Sequence, residues 1–435
     1  MRRIFIFLIL LSASAIVFNA CQLDTCEEKK TYVKWTPIYK KLDEIRLDIK
    51  AEAPTELKKP GKLYFYNNYV FINEINEGVH VIDNREPANP KNVAFIKIPG
   101  NIDIAVKDNT LYADNYIDLV SIDIKNLEKP TLLGRNENVF SNFTLNSQLG
   151  YLIDYEKSNE TVEVDCNSNN YGSKYYSELN GDFLVNASFD FAPSASSVGA
   201  SQATKPSVGV GGSFARFTIS GNHLYSLDQS TMKVFDVKNA QAPISRKAVQ
   251  VEWGIETLFP YKDKLFVGSN SGMFIYDIKS PENPVRLSKF DHARACDPVY
   301  VKDDVAFVTL RNGTACQGFQ NQLDVINVKD LSKPSLIKSY PMQNPHGLSV
   351  EGNTMYLCEG KFGLKAFDVS DLQKIDDNRI AAFTDFFAYD VIALPKNYSA
   401  SGKKIVMVIG DDGFYQYDAD DSKNLKKLSV IAVKK

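Results

Sequence analysis

The stretch at residues 272–287, GMFIYDIKSPENPVRL, decides the fold because its pattern recurs along the chain. An apolar strand ends at Asp277, a polar linker with two prolines follows, and a second apolar strand begins at Val285. The alternating β-branched and aromatic residues favour strands over helices. Related strings occur at residues 78–90 (GVHVIDNREPANP), 234–243 (VFDVKNAQAP) and 323–334 (LDVINVKDLSKP).

The residue that ends the first strand of each copy marks a regular period. The eight markers are Asp83, Asp123, Asp165, Asp236, Asp277, Asn327, Asp368 and Asp418, with spacings of 40, 42, 71, 41, 50, 41 and 50 residues. A period near 41 with short strands predicts an all-β chain that folds as a β-propeller of four-stranded blades. Eight copies predict eight blades; seven would follow if the weak third copy, or a terminal one, does not complete a blade.

Each marker has a structural explanation. An aspartate at a strand end can accept a hydrogen bond from the backbone that follows it, in an Asx turn. Within one copy we predict strands at residues 103–106, 111–115, 119–124 and 131–133, with the marker ending the third. The repeated strings resemble the LVIVD repeat of bacterial surface-associated propellers, from about Lys62 to the end of the chain. That resemblance implies a propeller and no agreed activity.

One spacing is too long for a single copy. Between Asp165 and Asp236 the chain contains about 30 residues more than one period. Residues 187–212 are rich in Ser, Gly and Ala, which predicts a flexible insertion at about residues 166–214, leaving from the third blade. The propeller domain is accordingly predicted to span residues 61–435.

The N-terminus has the pattern of an export signal. Arg2 and Arg3 precede an apolar stretch at residues 4–18, which is shorter than the roughly 20 residues of a transmembrane helix and fits a secretory signal. Ala20 followed by Cys21 resembles the lipobox of bacterial lipoproteins. This resemblance implies a signal peptide at residues 1–20 and a lipid on Cys21.

The segment after the signal is predicted to be a tether. Residues 21–60 read as a lipid-anchored tether and a short N-terminal segment, helical around residues 39–46. The acidic residues just after Cys21 resemble surface-export signals, or serve only as a polar tether. No second stretch is long and apolar enough to span a bilayer, so the lipid would be the membrane anchor. We expect an exported protein at the outer membrane or cell surface; a eukaryotic secreted protein is the alternative, given five Asn-X-Ser/Thr sequons.

Composition excludes several classes of function. The 50 Lys+Arg and 53 Asp+Glu residues give a formal net charge of −3, which argues against nucleic-acid binding. Four histidines and no CxxC motif argue against a metal site. The chain has no GxSxG, P-loop or HExxH motif. We therefore predict no catalytic residue and no cofactor.

The six cysteines suggest one disulfide. If Cys21 is lipidated, five remain, and export permits disulfides. Cys296 starts a first strand, and Cys316 lies in the loop between the second and third strands of the same blade. Those connections emerge on one face of a propeller, so we predict a Cys296–Cys316 bond. Cys358 would be a buried thiol or the alternative partner.

The candidate binding site is the mouth of the central channel. The first strand of each blade lines such a channel, and these polar residues lie at or within one residue of its start: Lys62, Asp103, Asn142, Arg216, Glu256, Asp297, His346 and Asp390. A ring of mixed charge could bind a protein or a glycan; strand starts are also polar simply where they meet water. We predict a non-catalytic binding lipoprotein. The alternative is a glycosidase-type or lyase-type enzyme that uses carboxylates of this ring.

Overall fold

The computed structural model describes residues 27–141, 143–165, 208–213, 215–292, 298–311 and 321–434. Within these ranges the only helical segments are α1 (Leu42–Ile45) and a 3-10 helix (Lys396–Tyr398). Helix α1 covers part of the short helix expected around residues 39–46, and the first two residues of that range belong to the strand β1 (Glu27–Lys40). No helix in the described ranges is long and apolar enough to cross a membrane. The predicted signal peptide and Cys21 lie outside the described residues.

Seven antiparallel sheets, each with four strands in chain order, form most of the structure. Sheet 1 contains β3 (Pro60–Tyr66), β4 (Tyr69–Glu74), β5 (Gly78–Asp83) and β6 (Lys91–Lys97), and sheet 2 contains β7 (Ile104–Lys107), β8 (Thr110–Asn115), β9 (Asp118–Asp123) and β10 (Thr131–Asn136). Sheet 3 contains β14 (Phe217–Ser220), β15 (His223–Asp228), β16 (Thr231–Asp236), β17 (Ile244–Ser245) and the extra strand β18 (Val249–Gln250). Sheet 4 contains β19 (Ile255–Tyr261), β20 (Lys264–Ser269), β21 (Gly272–Asp277) and β22 (Val285–Asp291).

The remaining three sheets repeat the same order. Sheet 5 contains β23 (Val299–Lys302), β24 (Val305–Leu310), β25 (Gln322–Asn327) and β26 (Ser335–Pro341). Sheet 6 contains β27 (Leu348–Glu351), β28 (Thr354–Cys358), β29 (Leu364–Asp368) and β30 (Arg379–Phe383), and sheet 7 contains β31 (Asp390–Leu394), β32 (Ile405–Gly410), β33 (Gly413–Asp418) and β34 (Lys426–Ala432).

The predicted Asx turns are confirmed in all seven sheets. The marker side chain at the end of each third strand accepts a hydrogen bond from the backbone N–H two residues later, at 2.8–3.1 Å. Each turn leads into a loop that often contains proline, and in five of the seven sheets a carbonyl of this loop accepts a hydrogen bond from the neighbouring sheet. Tyr225 Oη, for example, donates to the carbonyl of Pro281 at 2.8 Å, and Tyr340 Oη donates to that of Leu372 at 2.6 Å. The recurring Asp-linker-Pro pattern therefore serves packing between sheets.

The sheets pack side by side in chain order, and sheet 7 also packs on sheet 1. Leu63 and Ile72 of sheet 1 share a buried apolar cluster with Ile392 and Met407 of sheet 7. The first strands of neighbouring sheets lie beside one another, including β31 and β3. Leu57 forms a parallel bridge with Val433 close to the end of the chain. This arrangement is all-β and propeller-like.

The third sequence copy does not form a four-stranded sheet. Residues Gly150–Asp165 form one long strand, β12, in a three-stranded sheet with β1 (Glu27–Lys40) and β11 (Leu145–Asn146). In place of two apolar strands, this copy has the polar run EKSNETVE, which cannot be buried between two sheets. Exposed polar contacts support the strand instead, including an ion pair between Lys34 and Glu160 at 2.8 Å.

Sheet 1 carries two additional strands. β2 (Lys50–Glu52) pairs with β6 on the outer edge, and β13 (Val210–Gly211) pairs with β3 on the inner edge. The predicted flexible insertion is therefore wrong at its C-terminal end, because residues 208–213 are built into the sheet. The glycine-rich composition that suggested flexibility is what permits a close approach: a Cβ on Gly209 would collide with the Tyr64 ring. Residues 166–207 of the predicted insertion lie outside the described residues.

Candidate functional site

The predicted ring residues are mostly buried. Lys62, Asp103, His346 and Asp390 are each less than 5% exposed. Arg216 is half-buried just before β14, and Glu256 is half-buried at an irregularity in the pairing of β19. Asn142, Asp297, Cys296 and Cys316 lie outside the described residues, so the ring is only partly described and the disulfide stays a prediction.

Lys62 and Asp103 form a buried ion pair at the start of the first strands. Lys62 Nζ lies 2.7 Å from Asp103 Oδ2, and the same oxygen accepts the backbone N–H groups of Arg216 at 2.5 Å and Phe217 at 3.0 Å. Burial raises the pKa of Asp103, while the Lys62 ammonium opposes that rise. Burial likewise lowers the pKa of Lys62. The pair thus joins sheets 1, 2 and 3.

A second carboxylate supports the loop before β7. Asp114 Oδ1 accepts the backbone N–H groups of Ile102 and Asp103, at 2.8 and 3.0 Å, and the side-chain amide of Asn101 at 2.8 Å. Burial raises the pKa of Asp114 to about 6. This carboxylate was missed by the strand-start pattern because it lies on the second strand, and its bonds fix Asp103 toward Lys62.

Asp390 completes this group from sheet 7, and we call Lys62, Asp103 and Asp390 the ionic cluster. Asp390 Oδ1 accepts the backbone N–H of Ser213 at 3.3 Å, while the buried Oδ2 has no hydrogen-bond partner among the described residues. Burial raises the pKa of Asp390 to about 7, with Lys62 opposing and Asp103 adding to the rise. A fully buried carboxyl with an unbonded oxygen fits the neutral form.

The inserted segment at residues 208–213 covers the ionic cluster. Ser213 Oγ accepts the backbone N–H of Leu348 in sheet 6 at 2.7 Å, and Gly212 lies so close that a Cβ would overlap the Asp390 carboxyl. Its other end bonds to sheet 2, where Gly209 N–H donates to the carbonyl of Val106 at 3.0 Å. The segment therefore spans first strands of several sheets.

His346 lies in a separate polar group. Its Nε2 lies 3.2 Å from Asn344 Nδ2 and 3.4 Å from Arg311 Nη1, and its ring is near Tyr389. Burial and the Arg311 charge lower the pKa of His346 well below its usual value. Cys358 beside it is a free buried thiol, one of its two expected states, and burial raises its pKa well above the usual range. A thiol whose pKa is raised stays protonated, so Cys358 is not set up as a nucleophile.

One group of side chains has the composition of a metal site. Ligand atoms of His223, Asp236 and Glu282 lie within 4.8 Å of one another. Arg246 Nη2 already lies between the two carboxylates, 3.1 Å from Asp236 and 2.8 Å from Glu282. The guanidinium provides the positive charge that a metal would bring. These side chains therefore form an ion-pair cluster between sheets 3 and 4.

A cavity of about 660 Å³ lies at the opposite end of the first strands, and we call it the strand-end cavity. Strand ends and turns of sheets 3 to 7 and the inserted segment line it. The lining residues are Val208, Val210, Ile219, Ser220, Gly221, Pro260, Tyr261, Lys262, Tyr300, Val301, Lys302, Asp303, Ser349, Val350, Glu351, Ala393, Leu394, Pro395 and Tyr398. Sequence reasoning missed it, because these are ordinary strand and turn residues without a motif.

Comparison with solved structures supports the fold alone. A protein from Bacteroides fragilis, described as a candidate 6-phosphogluconolactonase, matches with a TM-score of 0.52 at 9% identity over 91% of this chain and 98% of that chain. A protein from Lactobacillus plantarum matches with a TM-score of 0.50 at 12% identity, over 86% and 97% of the two chains. No family model and no curated protein matches this chain. The chain is thus similar in fold, over most of its length, to two solved bacterial proteins.

Proposed function

We propose that the chain is an exported bacterial lipoprotein whose seven sheets close into a seven-bladed propeller that binds a ligand without catalysing a reaction. Closure is supported by the packing of sheet 7 on sheet 1 and by the Leu57–Val433 bridge. The placement of the third copy in a three-stranded sheet supports seven blades over eight. Membership of the LVIVD-repeat family is part of this proposal.

The anchor in this proposal is a lipid on Cys21. The pair Arg2–Arg3, the short apolar stretch and the Ala20–Cys21 junction support cleavage and lipidation, which would place the protein at the outer membrane or cell surface. Intact-mass measurement on the purified protein tests this point. We expect the mature chain to begin at a lipidated Cys21, and an unmodified Cys21 would contradict the anchor.

The strand-end cavity is the observation that carries the binding role. Its volume of about 660 Å³ lies within the range of about 300–1,000 Å³ typical of small-molecule sites. Exposed residues at its rim, Lys262 and Asp303, give it access to solvent. The sequence analysis predicted the ligand site at the strand starts. There the inserted segment lies against Asp390 of the ionic cluster.

The enzymatic alternative has weaker support. A glycosidase needs two carboxyl groups that flank a substrate. Asp103 is bound to Lys62 and to two backbone N–H groups, and Asp390 is covered by Gly212 and Ser213. Neither residue is more than 3% exposed, so a saccharide has no direct route to the two carboxyl groups in the part of the chain that the structure describes.

Ligand carry-over through purification tests the binding role. The variant Ser220→Trp fills the strand-end cavity, and Ser245→Trp places the same side chain on the exposed outer strand β17 as a matched control. We expect mass spectrometry of extracted small molecules to find a compound bound to the wild type and to Ser245→Trp, but not to Ser220→Trp. Equal retention by all three proteins would contradict a ligand site in this cavity.

A further inference from the structure

The walls of the strand-end cavity have more apolar than polar surface. Its aliphatic surface comes from one side of several strand ends, and its rings come from three tyrosines. The aliphatic members are Val208, Val210, Ile219, Pro260, Val301, Val350, Leu394 and Pro395, and the aromatic members are Tyr261, Tyr300 and Tyr398. Two of the aliphatic residues belong to the inserted segment, so the chain supplies part of this wall from its own insertion.

Two of the tyrosine hydroxyls are already used within the protein. Tyr261 Oη donates to Asp304 Oδ1 at 3.2 Å and accepts the Asp304 backbone N–H at the same distance. Tyr300 Oη donates to the carbonyl of Val350 at 3.0 Å. A hydroxyl has a single proton to donate. These tyrosines therefore present ring surface to the cavity and have no proton left for a ligand.

The charged groups around the cavity are also bound by the chain. Lys262 Nζ donates to Asp304 Oδ1 at 2.8 Å, and Lys302 Nζ donates to the carbonyl of Gly352. Glu351 lies 3.7 Å from the Lys404 ammonium. Ser349 Oγ accepts the backbone N–H of Ala393 at 3.1 Å. Each of these side chains thus has at least one partner within the protein, and the two ammonium groups and the Ser349 hydroxyl keep further N–H and O–H donors.

The cost of burying polar groups, compared with the gain from burying apolar surface, then favours one class of ligand. A saccharide brings many hydroxyls, and each one buried without a partner costs free energy, because its bonds to water are lost. An apolar molecule gains free energy from the same wall through burial of its surface. A wall with more apolar than polar surface therefore favours an apolar molecule over a sugar.

We infer that the strand-end cavity binds a predominantly apolar small molecule, with an acyl chain as its simplest form. This inference rests on the proposed function, because it names the ligand class of that same site. The bound molecule contacts the inserted segment and the ends of β14, β19, β23, β27 and β31. Its polar end, where it has one, lies at the charged rim near Lys262 and Lys302.

Photo-crosslinking tests the ligand class. The purified full chain is irradiated with a diazirine derivative of dodecanoic acid, and with a diazirine derivative of chitotriose as the saccharide arm. Labelled peptides are mapped by mass spectrometry in the wild type, in Ser220→Trp and in the control Ser245→Trp. A smaller filling variant, Ser220→Leu, is included, and thermal unfolding of each protein checks that it is folded.

The acyl probe is expected to label the lining peptides of the wild type and of Ser245→Trp. Labelling should fall at least tenfold in Ser220→Trp and to a smaller extent in Ser220→Leu, and unlabelled dodecanoate should compete. Cavity labelling by the saccharide probe but not the acyl probe would overturn the ligand class and leave the proposed function standing. Acyl labelling spread over outer strands and unchanged by Ser220→Trp, without saccharide labelling of the cavity, would overturn both.

Discussion

The two ends of the first strands differ in chemistry and in access. At one end the ionic cluster joins Lys62 and Asp103 at 2.7 Å beneath the inserted segment. At the other end, the strand-end cavity is lined by valines, isoleucine, prolines and tyrosines, and its rim meets solvent. The end with polar residues is closed, and the apolar end is open. Among the described strand-start residues, Lys62, Asp103, His346 and Asp390 are buried, whereas Arg216 and Glu256 are half-buried.

Removal of a carboxylate from the closed end should have the largest effect on stability. Asp103→Ala leaves the Lys62 ammonium buried without its partner, and breaking a buried ion pair costs about 3–5 kcal/mol. Urea unfolding measures this loss. Asp303→Asn, at the exposed rim of the cavity, is the control and should stay within about 0.5 kcal/mol of the wild type, because asparagine tolerates its φ of 48°. Similar losses in the two variants would remove the contrast between the two ends.

The pH dependence of stability should also differ between the two ends of the first strands. The pKa of Asp390 is about 7 in the folded protein, above the ordinary 3.8, so between about pH 4 and pH 7 the folded state keeps a proton that the unfolded chain releases. Stability from this group is complete below pH 4 and is lost as the pH rises to 7. Asp390→Asn removes that loss, which is up to about 4 kcal/mol at 1.36 kcal/mol per pKa unit.

Unfolding of the wild type and Asp390→Asn at several values between pH 4 and pH 8 tests this prediction. The stability of the variant relative to the wild type should rise with pH through that window. Asp303→Asn provides the control at the exposed end, and its curve should run parallel to that of the wild type. Parallel curves for Asp390→Asn as well would show that the carboxyl is ionised and solvated in the folded protein.

A substitution in the inserted segment should have a smaller effect on stability. Gly212→Ala places a methyl group against the Asp390 carboxyl, and overpacking of this kind costs about 1–3 kcal/mol. Gly221→Asn at the cavity end is the control, because no atom lies within 4 Å of its Cβ position and asparagine tolerates its φ of 58°. Thermal unfolding compares the two. If Gly212→Ala were as stable as the wild type, the inserted segment would not be held against the cluster.

The repeat made most of the fold predictable from sequence. The strands of sheet 2 begin or end within a few residues of the predicted bounds, and Asp123 forms the Asx turn expected of it. Local patterning suffices here because the alternation of apolar residues and the turn chemistry of each copy agree with the final structure. The prediction of a four-stranded sheet was wrong for the third copy. Its polar run has the two-residue period of a strand but lacks the apolar face that a packed sheet needs.

The site was less predictable. The strand-start pattern predicted Lys62 and Asp103, which form an ion pair, and Asp390, whose pKa is influenced by both, but it did not indicate that they are buried. Their cover comes from a glycine-rich segment that pairs with β3, a strand far away in sequence, and no local pattern encodes that pairing. The strand-end cavity depends on where five strands end in space, which is equally invisible to a search for motifs.

The bridge between Leu57 and Val433 has a consequence for how the protein is made. Sheet 1 is synthesised before sheet 7, yet the apolar partners of Leu63 and Ile72 lie in sheet 7. A chain that emerges from its N-terminus onward must keep this apolar surface from aggregating until the strands of sheet 7 have been made. The two sheets that are farthest apart in order of synthesis therefore depend on each other for burial.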